Sequence, residues 1–422
     1  MDRIVWDPFS DRTYLVSPGR FPRVANGHLG MVLTQASRGS ADGARIAQQY
    51  PRTIARATEA GWLTPRTVMR TVPQDPHLRR VQIEVGLRCN LRCAYCYSMS
   101  GPKRTDQLTS EQVLELVDAA DRLGVVEMDF TGGELMLDPE WGTYVRRARS
   151  HGMAVTIHTN GTILTESRAL LLKELGVAAV QISLDSHLPE IHDASRGSKG
   201  ALKRTLRGID HAYQAGLPVR LALMAQRRNI DSLDETIVFL QQRYPKATLN
   251  VDRVVATGGA VESGDALTSE EFWTFLAPHL SSSVRAGKLC ESPGLREYEP
   301  ECGVAYSYVY VTAQGEIAAC PTMTSRESPQ FAAPRLDTHD LASAWYDSAF
   351  FTSFRYTNCE NVTRCVAGKV CGGGCRSNAY VEFGSVHAPD VIACNQHKNS
   401  TKVFVDFPTR YRQGEYGIVT AS

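Results

Sequence analysis

The stretch Cys89-Asn90-Leu91-Arg92-Cys93-Ala94-Tyr95-Cys96-Tyr97 carries most of what the sequence says about fold and chemistry. It spaces three cysteines as C-x3-C-x2-C, directly after an apolar run over 81–87 that reads as a strand ending in Gly86-Leu87-Arg88. A loop at the C-terminal end of a first strand is where α/β folds collect their chemistry. Three thiolates are one fewer than a closed four-iron cluster takes, so one iron would keep an open position, as a catalytic zinc does. A structural zinc loop is the alternative, although zinc sites favour paired C-x2-C units and here only Cys93 and Cys96 form one.

Outward from this loop, apolar stretches at 81–87, 125–130, 154–158, 178–184, 219–224 and 248–255 alternate with helical patterns at 110–123, 166–175, 202–215 and 233–244. Thr109 with Gln112 is a capping box opening the first helix, and Thr268 with Glu271 caps a later one running to about residue 284. Six βα units in succession predict an α/β fold with a parallel sheet and right-handed crossovers: a partial (β/α)6 TIM-type barrel. Before it, 1–78 offers strands at 14–17 and 30–35 and helices at 41–49 and 52–60, with Trp62 and Leu63 packing at the end. That order suggests a small wing-and-helix module, followed by a linker marked by Pro65, Pro73 and Pro76. From Cys302 to Cys394 the chain is rich in Cys, Gly and turns, and such a region needs a staple other than an apolar core. The expected division is 1–78, 79–265 (barrel), 266–301 (linking helix), 302–400 (Cys-rich domain) and 401–422 (tail).

Composition narrows the field. Of 422 residues, 43% are apolar and 22% charged, ordinary for a soluble globular chain. A net charge of +1 gives no general pull toward nucleic acid or an anionic membrane. No apolar run reaches bilayer length, and the N-terminus is not a secretory signal. The expected location is the cytoplasm, with neither nucleic acid nor membrane as partner. There, eleven cysteines, ten of them grouped at 89–96, 302–320 and 359–394, point to metal rather than disulfides.

CNLRCAYC resembles the signature of the radical S-adenosylmethionine (SAM) superfamily, in which an aromatic residue precedes the third cysteine, as Tyr95 does. Asp129-Phe130-Thr131-Gly132-Gly133-Glu134, closing the second strand, resembles that family's GGE motif. The resemblance implies that Cys89, Cys93 and Cys96 hold a [4Fe–4S] cluster whose open iron binds SAM. Reductive cleavage of SAM would then yield a 5′-deoxyadenosyl radical. It also implies that Gly132 and Gly133 allow close backbone approach and that Glu134 accepts a bond from the methionyl ammonium. Asn160 after the third strand, Ser183 and Asp185 at the end of the fourth, and Arg196 beyond it would lie near SAM. Ser183 and Arg196 would face its carboxylate, and Asp185 its ribose hydroxyls.

Farther on, Cys302-x12-Gly315-x4-Cys320, then Cys359, Cys365, Cys371, Cys375 and Cys394, resemble the SPASM extension of radical SAM enzymes, which carries two auxiliary [4Fe–4S] clusters. By that resemblance Cys302, Cys320 and Cys375, with Cys290 as possible fourth, hold one cluster, and Cys359, Cys365, Cys371 and Cys394 the other. The spacing departs from the family's C-x2-C at the first pair, because Cys359 stands six residues before Cys365 and Val362 occupies the usual place. Cys290 stays open between ligand, hydrogen-atom donor and buried residue. Three cysteines for the first cluster and four for each auxiliary one account for all eleven.

SPASM proteins include maturases of ribosomally made peptides, sulfatase activators and enzymes of sugars or aminocyclitols. Residues 1–78 and the Gly372–Arg376 stretch favour a precursor peptide, captured through its leader by strand addition and crosslinked, with flavodoxin or ferredoxin as reductant. Pro321 after Cys320 counts against sulfatase activation, where an Asp base follows that cysteine. Epimerisation or dehydrogenation of a sugar-like molecule is the second reading, and a non-enzymatic iron–sulfur scaffold the third.

Overall fold

Strand β5 (Arg80–Glu84) is the hinge of the architecture: it pairs on one side with the strand that follows it and on the other with a strand more than two hundred residues later. The computed structural model describes residues 2–36, 41–60, 62–63, 66–279, 285–286, 303–365, 371 and 373–401. After β5 come α4 (Ser110–Arg122), β6 (Glu127–Thr131), α5 (Trp141–Ser150), β7 (Ala154–Thr159), α6 (Glu166–Leu175) and β8 (Ala179–Ser183). There follow α7 (Pro189–Arg196), α8 (Ala201–Gln214), β9 (Val219–Ala225), α9 (Leu233–Arg243), β10 (Thr248–Arg253) and the short α10 (Gly259–Ser263). Strands β5 to β10 pair in parallel, in sequence order, as the six βα units predicted. The sheet is an open, partial barrel of α/β type.

Alternation along each strand sorts the two faces. Val81 and Ile83, Met128 and Phe130, Val155 and Ile157, Val180 and Ile182 turn outward to one large core under the helices. The intervening positions, among them Arg80, Gln82, Glu84, Asp129, His158 and Gln181, turn inward and form a polar lining. There Arg80 pairs with Asp129, and Gln181 Nε2 meets His158 Nδ1 at 3.2 Å. Both capping boxes are present, at Thr109 and at Thr268. The helix after Thr268, α11, spans Ser269–Leu276, and 280–284 of the expected run lie outside the described residues. It tightens to a 3₁₀ turn at Ala277–His279, where Pro278 removes a backbone donor.

The sheet extends beyond the six predicted strands. Residues 266–301 contribute β11 (Arg285–Ala286), parallel to β10. From the Cys-rich region, β12 (Tyr308–Val311) runs parallel to β5, and β13 (Ile317–Ala318) returns antiparallel. The Cys-rich region is thus stitched into the barrel sheet. It continues with α12 (Leu341–Asp347), α13 (Ala349–Arg355), α14 (Arg376–Phe383) and α15 (Val391–Thr401). Cys290, Cys302 and the expected tail beyond Thr401 lie outside the described residues.

The N-terminal module is a four-stranded sheet ordered β3-β2-β1-β4, from β1 (Arg3–Asp7), β2 (Arg12–Val16), β3 (Arg23–Asn26) and β4 (Val68–Thr71). It is covered by α1 (Gly27–Ala36), α2 (Ala41–Gln49) and α3 (Pro51–Glu59). The strand expected at 30–35 is part of α1. Packing explains the difference: Leu29 and Leu33, four residues apart, meet Ile4 and Leu15 on the sheet, and Gly30 lies so close that its N–H bonds Thr13 Oγ1 at 2.8 Å. Trp62 and Leu63 pack in the same cluster, as expected. The linker is shorter than expected because β4 falls between Pro73 and Pro65, the latter outside the described residues.

The module plugs the N-terminal end of the barrel. Val5, Tyr14, Val16 and Val72 pack on Val126, Ala154 and Ala178, which stand at the entries of β6, β7 and β8. Beside this patch the fully buried Arg3 pairs with Asp121 of α4 and donates to His151 O at 2.9 Å. Burial pulls its guanidinium down to about 10 despite Asp121. Asp121→Ala would strand that cation without a counter-ion, a change that costs about 3–5 kcal/mol at comparable sites. Urea denaturation is expected to show a lowered midpoint, and an unchanged one would mean that docking does not depend on the pair.

Candidate functional site

The cysteine loop leaves β5 at its C-terminal end and is fastened almost wholly through backbone. Cys89 N donates to Gly101 O at 3.1 Å, and Gly101 N to Leu87 O at 3.1 Å. On one flank Gly133 N donates to Gly86 O at 2.7 Å and Glu134 N to Arg88 O at 2.9 Å. A Cβ on Gly133 would stand 2.4 Å from Arg88 O. The close approach that the GGE glycines allow is therefore first of all to the cysteine loop itself. On the opposite flank Arg92 N donates to Arg196 O and Ala94 N to Ser195 O, and a Cβ on Gly197 would lie 2.2 Å from Arg92 O. A third contact had no counterpart in the sequence reading: Gly259 N donates to Cys96 O at 3.0 Å, and Gly258 presses against Cys96 O and Tyr97 O. A glycine pair directly after the sixth strand, mirroring the pair after the second, was the available signal.

Polar side chains from successive strand ends converge on the loop. Glu134 is buried; it accepts from Thr159 Oγ1 at 2.8 Å, Asn160 N at 2.8 Å and Met136 N at 3.2 Å. Burial raises its pKa against these bonds. Asn160 donates to Asn90 Oδ1 at 2.9 Å and reaches Cys89 Sγ at 3.8 Å. Asp185, with no exposed surface, takes an ion pair from Arg196 at 2.8 Å and bonds from Tyr95 OH at 2.9 Å. Arg196 also lies 5.5 Å from the Tyr95 ring centroid and 3.8 Å from Cys93 Sγ. Asp185 and Arg196 are thus partners of each other before they meet any ligand. Two further residues hold Asp185: its N–H donates to His192 Nδ1 at 3.2 Å, and Asn229, which no sequence motif marks, donates through Nδ2 to its carbonyl at 2.8 Å. Ser183 stands at the end of β8, half-buried.

The thiols themselves suit a cationic cluster. Burial pushes Cys89 up to about 12 and Cys93 up to about 11. Neutral thiols are thus favoured until a metal centre compensates the thiolate charge. Leu91 N points at Cys89 Sγ (3.4 Å) and Ser100 N at Cys96 Sγ (3.4 Å), donors that suit thiolate acceptors.

In the Cys-rich region burial raises the Cys394 pKa first, and the fields of Cys371, Asp390, Cys359 and Cys365 raise it further. Cys359 lies against Gly373, between Cys371 and Cys375 in sequence, despite its shifted spacing. Cys320 lies apart, its Sγ 3.3 Å from Thr322 Oγ1, and Thr322 in turn meets Ser377 Oγ at 2.7 Å, two residues past Cys375.

Residues 83–240 match the family model of the Radical SAM superfamily. This segment is a radical SAM domain, the chain is an enzyme, and the cofactors of that domain's class are SAM and a [4Fe–4S] cluster. The chain is 26% identical over 337 residues to the mycofactocin maturase MftC of Mycobacterium tuberculosis, covering 74% of this chain and 82% of the relative. Its fold is similar to that of Streptococcus suis SuiB bound to precursor peptide SuiA, with a TM-score of 0.69 at 14% identity over 93% of this chain and 98% of that one. It is also similar to anSMEcpe with bound AdoMet and Cp18Cys peptide, with a TM-score of 0.59 at 16% identity over 76% and 95%. No helix among the described residues is long and apolar enough to cross a membrane.

Gly133→Ala is expected to displace the cysteine loop and cost about four irons per chain after anaerobic reconstitution. Gly142→Ala, where a Cβ would meet nothing closer than 3.9 Å, serves as control. Equal iron in both variants would show that the loop tolerates the displacement.

Proposed function

We propose that this chain is a radical SAM peptide maturase that modifies a ribosomally made precursor, forming a crosslink. The observation that carries the peptide reading is the exposed β3 edge of the N-terminal sheet. Strand β3 pairs with β2 alone among the described strands, and its Arg23, Val24 and Asn26 are exposed. Such an edge offers a row of backbone donors and acceptors to an added strand. The module carrying it is docked on the barrel, as a leader-binding domain would need to be. Similarity to a maturase over most of the chain supports the same reading.

In this reading residues 1–78 capture the leader, 79–265 make the radical and 302–400 hold the auxiliary clusters. Cys89, Cys93 and Cys96 hold the first cluster, which with bound SAM supplies a 5′-deoxyadenosyl radical on reduction by a flavodoxin or ferredoxin. Glu134 keeps one lone-pair direction for the methionyl ammonium after its bonds to Thr159, Asn160 and Met136. The Tyr95–Asp185–Arg196 group fixes the floor beneath SAM, and Asn160 and Ser183 flank it. Cys359, Cys365, Cys371 and Cys394 hold one auxiliary cluster. Cys320 and Cys375, with Cys302, hold the other, and an auxiliary cluster takes up the electron that crosslinking releases.

Anaerobic reconstitution with dithionite and SAM tests the radical step. The wild-type chain is expected to carry about twelve irons and to release 5′-deoxyadenosine. Changing Cys89, Cys93 and Cys96 together to Ala should abolish that release and leave about eight irons. Loss of all iron would contradict separate sites. For the peptide reading, co-expression with a short open reading frame beside the gene should shift the mass of its product, and an unchanged product beside sugar-biosynthesis genes would sink it. Glu134→Ala should weaken SAM binding by about tenfold or more in equilibrium titration, and unchanged affinity would remove the role given to that carboxylate.

A further inference from the structure

Between the segment that follows β10 and the loop that carries Cys320 lies a cleft of about 330 Å³ whose lining includes Ala256, Thr257, Val261, Thr322, Glu327 and Tyr380. One wall, Ala256 and Thr257, runs into Gly258, which rests on the backbone of Cys96 and Tyr97. The opposite wall is the loop after β13, where Thr322 touches Cys320 Sγ. The third is α14, which follows Cys375. Its Tyr380 is held edge-on by Phe331 at a centroid distance of 4.7 Å.

A carboxylate stands in this cleft with little to balance it. Glu327 Oε2 accepts a long bond from Gly258 N at 3.4 Å. Its neighbour Arg326 is already committed to the fully buried Glu84, at 2.6 Å. Among the described residues Glu327 enters no ion pair. Burial raises its pKa, against the Gly258 bond and the field of Arg326. Around the carboxylate are an aromatic face, the Thr257 and Thr322 hydroxyls, and the apolar side chains of Ala256 and Val261. A long side chain with an apolar stem and a cationic head meets each of these needs at once: methylenes against the apolar walls, charge at Glu327 and the Tyr380 ring.

We propose that this cleft binds a lysine or arginine side chain of the substrate, adjacent to the residue that is modified. The proposal rests on the peptide reading above and adds to it a substrate class: a core peptide with a basic residue beside its reacting position. Glu327 is the specificity residue of this subsite.

The test uses the full-length, cluster-loaded protein and two blocked tripeptides, Gly-Lys-Gly and its norleucine counterpart, followed by ligand-observed NMR titration. The lysine probe is expected to bind about tenfold or more tightly than the norleucine probe, the size of one charge-assisted hydrogen bond. Glu327→Gln should erase that preference. Val261→Trp, placed on a rim residue that is 65% exposed, should block the cleft without altering the carboxylate. It keeps the test decisive if Glu327→Gln does not fold. Equal binding of the two probes, or a lysine preference that survives either folded variant, would overturn the proposal. Failure of the peptide reading would register separately, as an unmodified encoded precursor, and would leave this titration readable.

Discussion

The cysteine loop is held by main chain meeting main chain at distances that leave no room for a Cβ. Gly133, Gly197 and Gly258 each occupy a place where any other residue would collide with a carbonyl of residues 88–97. Hydrogen bonds between backbone groups then set the loop's path, while its side chains stay free for ligation and for the polar network beneath. Because the three glycine contacts come from the ends of β6, β10 and the helix after β8, the loop integrates the geometry of nearly the whole sheet. A shift in any of these strands would be felt at the thiols.

Around that loop the protein segregates its chemistry by layer. The outer face of each strand is aliphatic and feeds one core, the inner face is polar, and the C-terminal ends carry the ionised groups. Asp185 and Arg196 neutralise each other in a buried setting where either alone would be costly. The N-terminal module closes the opposite end, with Arg3 and Asp121 buried at the seam.

Much of this was legible in the sequence because it is periodic or local. Six strands, two capping boxes and the strand-end positions of Cys89, Glu134, Asn160 and Asp185 follow from patterns spanning a few residues. What escaped is what depends on distant partners. Residues 30–35 look extended until the apolar side of α1 is set against Ile4 and Leu15. Gly258 and Gly259 belong to no quoted motif, and their purpose appears only when Cys96 is placed beside them. The Glu84–Arg326 pair joins residues 242 positions apart, beyond any local signal. Cys359 is the converse: its spacing looks irregular, yet the fold of the loop lays it against Gly373, beside Cys371 in sequence.

The pairing of β12 with β5 also bears on how the molecule is made. A ribosome delivers β5 long before β12, so for most of synthesis the strand that launches the cysteine loop is an uncovered edge. Long-range parallel pairings of this kind form late in folding. The nascent barrel must therefore wait, with its reactive thiols exposed beside an open sheet edge, until the Cys-rich region arrives to seal it. A chain ending before residue 308 would carry the complete signature loop and still be an aggregation-prone fragment.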